Sequence, residues 1–294
     1  MADTILRGVS NDGTIRIFAA ETTELVGRAQ QIHHSYPIAT AALGRLLTAA
    51  AMMGTMLKGE RDTITLRVKG DGPLEGVLAV GNAKGEVKGY SVNPGAVLPD
   101  KVPGKLNVGG AVGKGTLSVI CDLGLKEPYV AQIELVSGEI AEDLTAYYAI
   151  SEQVPSAIAL GVLVDTDGSV IKAGGFILQL MPGSTDEDAK KLEETIASLP
   201  SITTMLQENM SCEDIIFRVT QGFDMLVYND AVTPAYVCDC CRARVEKALI
   251  SMGREEMQKL IDEQGQAELT CQFCDKIYNF DKKELTDLLH ACLE

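Results

Sequence analysis

Histidine is nearly missing from this chain. Three occur in 294 residues: His33 and His34 on a predicted helix, and His290 near the C-terminus. A Cys–His catalytic pair therefore finds few partners. Positive charge is also short, with 26 Lys and Arg against 41 Asp and Glu, a net −15. That balance repels phosphate backbones and speaks against nucleic acid as a partner, while it favours solubility. Long apolar runs are lacking too. The longest uncharged one is Leu46 to Leu57, between Arg45 and Lys58, and a membrane helix needs about 20 residues. The opening residues, Met1 to Arg7, show no basic segment leading into an apolar run, so no secretory signal is read. The expectation is a cytoplasmic protein with no membrane partner. A nucleotide loop is missing as well. Asn107 to Thr116 resembles one, but the template's first glycine falls on Val108 and Gly115 stands where Ser or Thr is required. We read it as a flexible glycine loop. No internal repeat or low-complexity tract is present.

What is there is enough apolar residue, 46%, for a chain of this length to bury roughly 75% of its unfolded surface without disulfides. Strand-like runs Thr4 to Val9 and Thr14 to Ala20 flank Asp12-Gly13, a hairpin signal. Glu21 to Met56 reads as helix, broken near Tyr36 by Pro37. Its second half is apolar on most faces, which predicts a buried central helix. Short glycine-punctuated strands follow from Thr63, then a helix over Ser137 to Gln153 whose carboxylates complement its N-terminus, then strands Ala157 to Val164 and Val170 to Leu180. Strands with hairpin connections and few helices indicate an α+β class. After Pro182 come three short helices. The first is expected to open on a capping box of Ser184 and Glu187. Isolated helices this short are marginal in water, so the segment is a candidate switch. The expected organisation is an N-terminal mixed sheet/helix domain (1–182), a helical linker (183–236) and a small C-terminal zinc-binding domain (237–294). That last part should hold two helices, a hairpin over Ala267 to Thr270 and Lys276 to Phe280, and a final helix capped by Asp281 and Glu284.

Five of the eight cysteines lie in this last part: Cys238, Cys240, Cys241, Cys271 and Cys274. Two cysteine pairs across a spacer build a tetrahedral thiolate site for zinc. In a reducing compartment such clusters are metal ligands or redox sensors rather than bridges. Cys271 and Cys274 sit where a hairpin turn aims both sulfurs at one point. For the other half, spacing leaves Cys240 and Cys241 as equal candidates beside Cys238. A site without histidine is electron-rich and open to oxidants, which convert its thiolates to disulfides or sulfenic acids and eject the metal. A purely structural zinc is the plainer alternative. Cys121 reads as a small buried residue, and Cys212 and Cys292 carry no assignment.

The Cys-x-Cys and Cys-x-x-Cys pairs, with 30 residues between Cys240 and Cys271, resemble the redox-regulated heat-shock holdase family of bacteria, the thirty-three-kilodalton heat-shock chaperone. Glu127-Pro128-Tyr129, Leu135 to Asp143, Tyr147-Tyr148, Ser151 to Ser156 and Ala173 to Phe176 extend the resemblance along most of the chain. It implies a non-enzymatic, ATP-independent chaperone of the oxidative stress response. It implies one zinc per chain on Cys238, Cys240, Cys271 and Cys274 in the reduced, inactive state. It further implies that peroxide or hypochlorous acid joins Cys238 to Cys240 and Cys271 to Cys274 with zinc release. The linker then unfolds, and a homodimer holds unfolding client proteins. Only the resemblance selects Cys240; Cys241 departs from the pattern as an extra thiol able to compete for zinc or shuffle a disulfide. Two other readings stand beside it: a thiol oxidoreductase using Cys271 and Cys274, and a zinc-ribbon binding protein.

Overall fold

The computed structural model describes residues 2–102 and 104–291; Cys292 lies outside them. Its chain divides into two compact units, Met1–Val237 and Cys238–Glu294. The first opens with the hairpin, β1 (Thr4–Ser10) and β2 (Ile15–Glu21), paired antiparallel. Asp12 closes the turn by accepting from the Ser10 hydroxyl and from the Thr14 amide and hydroxyl. Gly13 takes φ +76°, a conformation that suits glycine. Pro37 divides the helical stretch into α1 (Thr23–His33) and α2 (Pro37–Gly54). Then come β3 (Thr63–Gly70), β4 (Gly76–Asn82), β5 (Glu86–Ser91), α3 (Val108–Val112), β6 (Gly115–Asp122) and β7 (Tyr129–Glu134). They are followed by α4 (Ala141–Tyr147), a π-helical turn (Tyr148–Glu152), β8 (Ser156–Val164) and β9 (Val170–Leu180).

Two expectations fail here for identifiable reasons. The glycine stretch is not a loose loop. The Asn107 side chain accepts from Gly110 N and caps α3, and the carbonyls of Ala111 and Val112 accept from Leu74 N and Gly72 N. The helix expected from Ser137 begins only at Ala141, because Asp143 folds the preceding chain onto itself. Its fully buried carboxylate accepts from the backbone N–H of Val136, Ser137, Gly138 and Ile140. Glu142 and Asp143 still occupy the first turn of α4. Asp143→Ala strands four amides, so it should lower the stability of this unit by about 3–5 kcal/mol, read from the denaturation midpoint.

The remaining part of the unit contains α5 (Asp186–Ala197), α6 (Ile202–Gln207), α7 (Cys212–Val219), β10 (Met225–Val227) and β11 (Ala235–Tyr236). The capping box of α5 falls one residue later than expected. Thr185 and Asp188 exchange its bonds, because Ser184 is held in the preceding turn by Met181 O. Ser201 caps α6, and Ser211 with Asp214 boxes α7.

Two sheets result, in the orders β10-β1-β2-β9-β8 and β11-β5-β4-β3-β6-β7. Helix α2 lies between them, packed on β2, β8 and β9 of one and on β3, β4 and β5 of the other. This position explains its apolar surface. By length and composition α2 is long and apolar enough to cross a membrane, and 89% of it is buried inside the fold. Strand alternation then splits β2 and β9 between two cores. Phe18, Ala20 and Ile177 join α2. Ile15, Ile17, Ala19, Phe176 and Leu178 point to the opposite face, where Leu192, Met205, Leu206, Ile215, Ile216 and Val219 of α5, α6 and α7 cover them. The segment after Pro182 thus supplies both a helical layer and the outermost strand of each sheet.

The second unit contains α8 (Arg242–Ser251), α9 (Arg254–Glu263), the hairpin β12 (Gln266–Thr270) and β13 (Ile277–Asp281), and α10 (Lys282–Ala291). Its core is small: Leu249, Met257, Ile261, Tyr278, Phe280, Leu285 and Leu289. Asp281 and Glu284 exchange side-chain-to-backbone bonds at the start of α10, as the sequence suggested. So few buried side chains give a marginal fold without a cross-link or a metal.

Candidate metal centre

Cys271 and Cys274 occupy the tight turn between β12 and β13. Cys271 N donates to Lys276 O at 2.9 Å, and Cys271 O accepts from Cys274 N at 3.3 Å and Asp275 N at 2.8 Å. Asp275 completes the turn in the left-handed region at φ 56°, where aspartate is tolerated. Cys238 to Cys241 lead from β11 into α8. The sulfurs of Cys238, Cys240, Cys271 and Cys274 all lie within 4.8 Å of one another. Cys238 Sγ is 3.7 Å from Cys271 Sγ, and Cys240 Sγ is 3.4 Å from Cys274 Sγ. A tetrahedral metal with sulfurs at about 2.3 Å sets them about 3.8 Å apart, so the four thiols fit such an ion. All four are free cysteines.

Cys241, the other candidate by spacing, lies outside this group and is exposed. It is the N-cap of α8, and its carbonyl accepts from Arg244 N and Val245 N. That cap turns the chain, and its extended backbone (φ −143°) carries the thiol outward.

The cluster is electrostatically uneven. Burial pushes the Cys238 and Cys274 thiols up. Burial acts on Cys240 in the same sense, but hydrogen bonds from Tyr278 and the neighbouring cysteines outweigh it and bring it down to about 7. The Tyr278 hydroxyl donates to Cys240 Sγ at 3.1 Å, and holding this proton against sulfur raises the Tyr278 pKa. Tyr278 is a site residue the sequence reading missed; its one signal was an inward position on β13, which reads equally well as core. Arg242 fastens α8 to the hairpin. Its guanidinium stacks on Phe280 at 4.2 Å and donates to Asn279 O and Glu284. Arg244 pairs with Asp239, between the first two cysteines.

Among the described residues, Cys121, Cys212 and His33 sit away from this cluster. Cys121 is half-buried on β6 beside the α2 core. Cys212 is buried at the start of α7, within the helical layer, and burial pushes its thiol up to about 12. The His33 ring lies 3.0 Å from both Gly89 O and the Tyr236 hydroxyl, a structural contact.

Comparison with known proteins places these features. The family model described as Hsp33 protein matches residues 3–281. A 33 kDa chaperonin of Desulforamulus reducens is 50% identical over 289 residues, covering 98% of each chain. One from Clostridium perfringens is 50% identical over 291 residues, covering 98% of this chain and 92% of its own. The crystal structure of a 33 kDa chaperonin from Thermotoga maritima superposes with a TM-score of 0.91 at 38% identity, covering 100% of this chain and 99% of the other. With a family match across nearly its whole length and relatives at half identity, the chain belongs to the Hsp33 family.

Proposed function

We propose that this chain is a redox-regulated, ATP-independent holdase of the cytoplasm. In this reading the reduced form is inactive, with one zinc on Cys238, Cys240, Cys271 and Cys274. The observation that carries it is an all-thiol cluster that follows, in sequence, a layer of marginal helices covering an apolar sheet face. Bound zinc would hold the four sulfurs as thiolates and supply on the order of 10–16 kcal/mol of apparent folding energy, as in other small zinc modules.

Oxidation proceeds on the chain's own sulfurs. One cysteine attacks the O–O bond of peroxide to give a sulfenic acid and water. A second cysteine displaces its oxygen as water and closes the disulfide. Two bridges consume two peroxides, form four waters and leave no thiolate of the set. By family resemblance the bridges are Cys238–Cys240 and Cys271–Cys274. The second unit then keeps only its small core. Only Val237 separates its first residue, Cys238, from β11, and β11 is anchored by two paired residues and by the Tyr236 hydroxyl donating to Gly89 O at 2.7 Å. Loss of that anchor and of the α5–α7 layer would bare Ile15, Ile17, Ala19, Phe176 and Leu178. Such a surface would bind unfolding proteins without sequence preference, and by family resemblance the active form is a homodimer. Holding needs neither nucleotide nor catalysis.

The test counts metal and thiols. Peroxide with mild heat should remove one zinc and four reactive thiols per chain together, and the product should suppress aggregation of an unfolding enzyme. Oxidised, zinc-free protein that leaves aggregation unchanged sinks the proposal. Sustained reduction of a disulfide substrate would point to an oxidoreductase instead.

A further inference from the structure

β10 lies at the outer edge of one sheet, beside β1, and β11 at the outer edge of the other, beside β5. The contact with β1 is the longer. Gly8 pairs with Val227, Val9 with Leu226 and Ser10 with Met225. Backbone bonds continue on both sides of this register. Asn11 N donates to Asp224 O at 2.9 Å, Tyr228 N to Arg7 O at 3.0 Å, and Ile5 and Val232 exchange bonds of 2.8 and 3.0 Å. Antiparallel strands alternate their bonding sides. Ile5, Arg7, Val9 and Asn11 therefore turn their main-chain groups toward residues 224–232, while Leu6, Gly8 and Ser10 turn theirs toward β2. The whole free edge of β1 is covered by the same segment whose helices cover the sheet's outer face.

We propose that in the activated chain this edge of β1 is a docking strand for the extended backbone of an unfolding client, which takes the place left by residues 224–232. The inference rests on the switch reading above, because those residues must leave first. What argues for the occupant is the present one: an irregular, mostly extended stretch of ordinary sequence, held through main-chain bonds. Pairing of that kind fits a partner defined by being unfolded rather than by its side chains. A bare edge is also a ready template for a foreign strand, so covering it in the resting form prevents wasteful pairing. The side chain of Leu6, on β1, packs with the same apolar cluster as Ile17 and Phe176. Edge and face are thus continuous: the face takes apolar side chains, and the edge sets the direction of the bound chain.

Amide exchange on the full-length protein tests this, with reduced, carboxymethylated α-lactalbumin as the unfolded probe. After oxidation the amides of Ile5, Val9 and Asn11 should exchange faster, and with probe bound they should slow again by about tenfold or more. Amides facing β2 should stay protected throughout. A probe that co-elutes while those three amides exchange at the probe-free rate overturns the proposal, and so does an edge that stays protected on oxidation. Failure of the oxidised protein to bind any unfolded probe defeats the switch reading and this proposal together. A peptide of residues 223–232 supplies the second arm. It should compete with the probe, whereas the same peptide N-methylated at Tyr228 and Val232 should not. Equal competition by both peptides means that side chains alone do the binding, and the proposal falls.

Discussion

Ile17→Asp should open this protein without any oxidant. Ile17 is fully buried on the outer face of β2, under the α5–α7 layer, and its side chain and that of Ile216 both crowd the Gly8 position. A carboxylate there is dry only while the layer is docked. When the layer leaves, the charge meets water, so the penalty falls almost wholly on the closed form. Lost burial and charge desolvation together should shift the closed–open balance by about 4 kcal/mol, a factor of about 10³. Three readouts should agree: protease cutting within 183–237, retention of four zinc-protected thiols, and aggregation suppression by the reduced protein. Ile177→Asp makes the contrast. Ile177 is equally buried but faces α2, so its charge has no wet alternative short of unfolding the unit. If Ile17→Asp also loses the whole unit, the two cores are not separable and the layer is not a removable cover.

The second large effect belongs to the candidate metal centre and rests on the zinc reading proposed above. Replacing Cys271 and Cys274 by serine removes half of the sulfur set. The second unit should lose most of its fold, since a structural zinc supplies on the order of 10 kcal/mol in modules of this kind and the core beneath is small. Zinc content should fall to zero, and amide protection of β12 and β13 should vanish. Cys241→Ser should do almost nothing: its thiol is exposed and outside the group, and exposed substitutions change stability by about 0.5 kcal/mol or less. A Cys241 variant that loses zinc would mean that this thiol, not Cys240, completes the site.

The parts of this architecture written in local chemistry were legible in the sequence. Pro37 cannot donate, so the helix had to break there; Asp12-Gly13 could only turn; α2 is too apolar to be anything but buried. What escaped depends on side chains acting at a distance. Asp143 delays α4 by gathering four amides from the preceding loop. Asn107 folds a glycine stretch that looks featureless. β10 and β11 are three and two residues long, too short to carry a strand period, and only the edges they join make them strands. At the cysteines, spacing offered Cys240 and Cys241 alike. What separates them in the structure is the N-cap of α8, which turns Cys241 outward, a property of the backbone rather than of the motif. Tyr278 escaped because an inward aromatic on a strand looks the same whether or not its hydroxyl touches sulfur.

The sheet of β1, β2, β8 and β9 has one core on each side, and α2 ties only the inner one to the second sheet. That asymmetry bears on the return journey. A chain that opens by shedding its outer layer keeps the register of β1 on β2, which acts as a memory of where every shed element belongs. Once thiols are restored, closing again is a search by one short segment over a standing template, not a refolding of the whole chain. Release of a held client and recovery of the resting form should therefore be a single event: the returning strand and the departing one compete for the same row of amides.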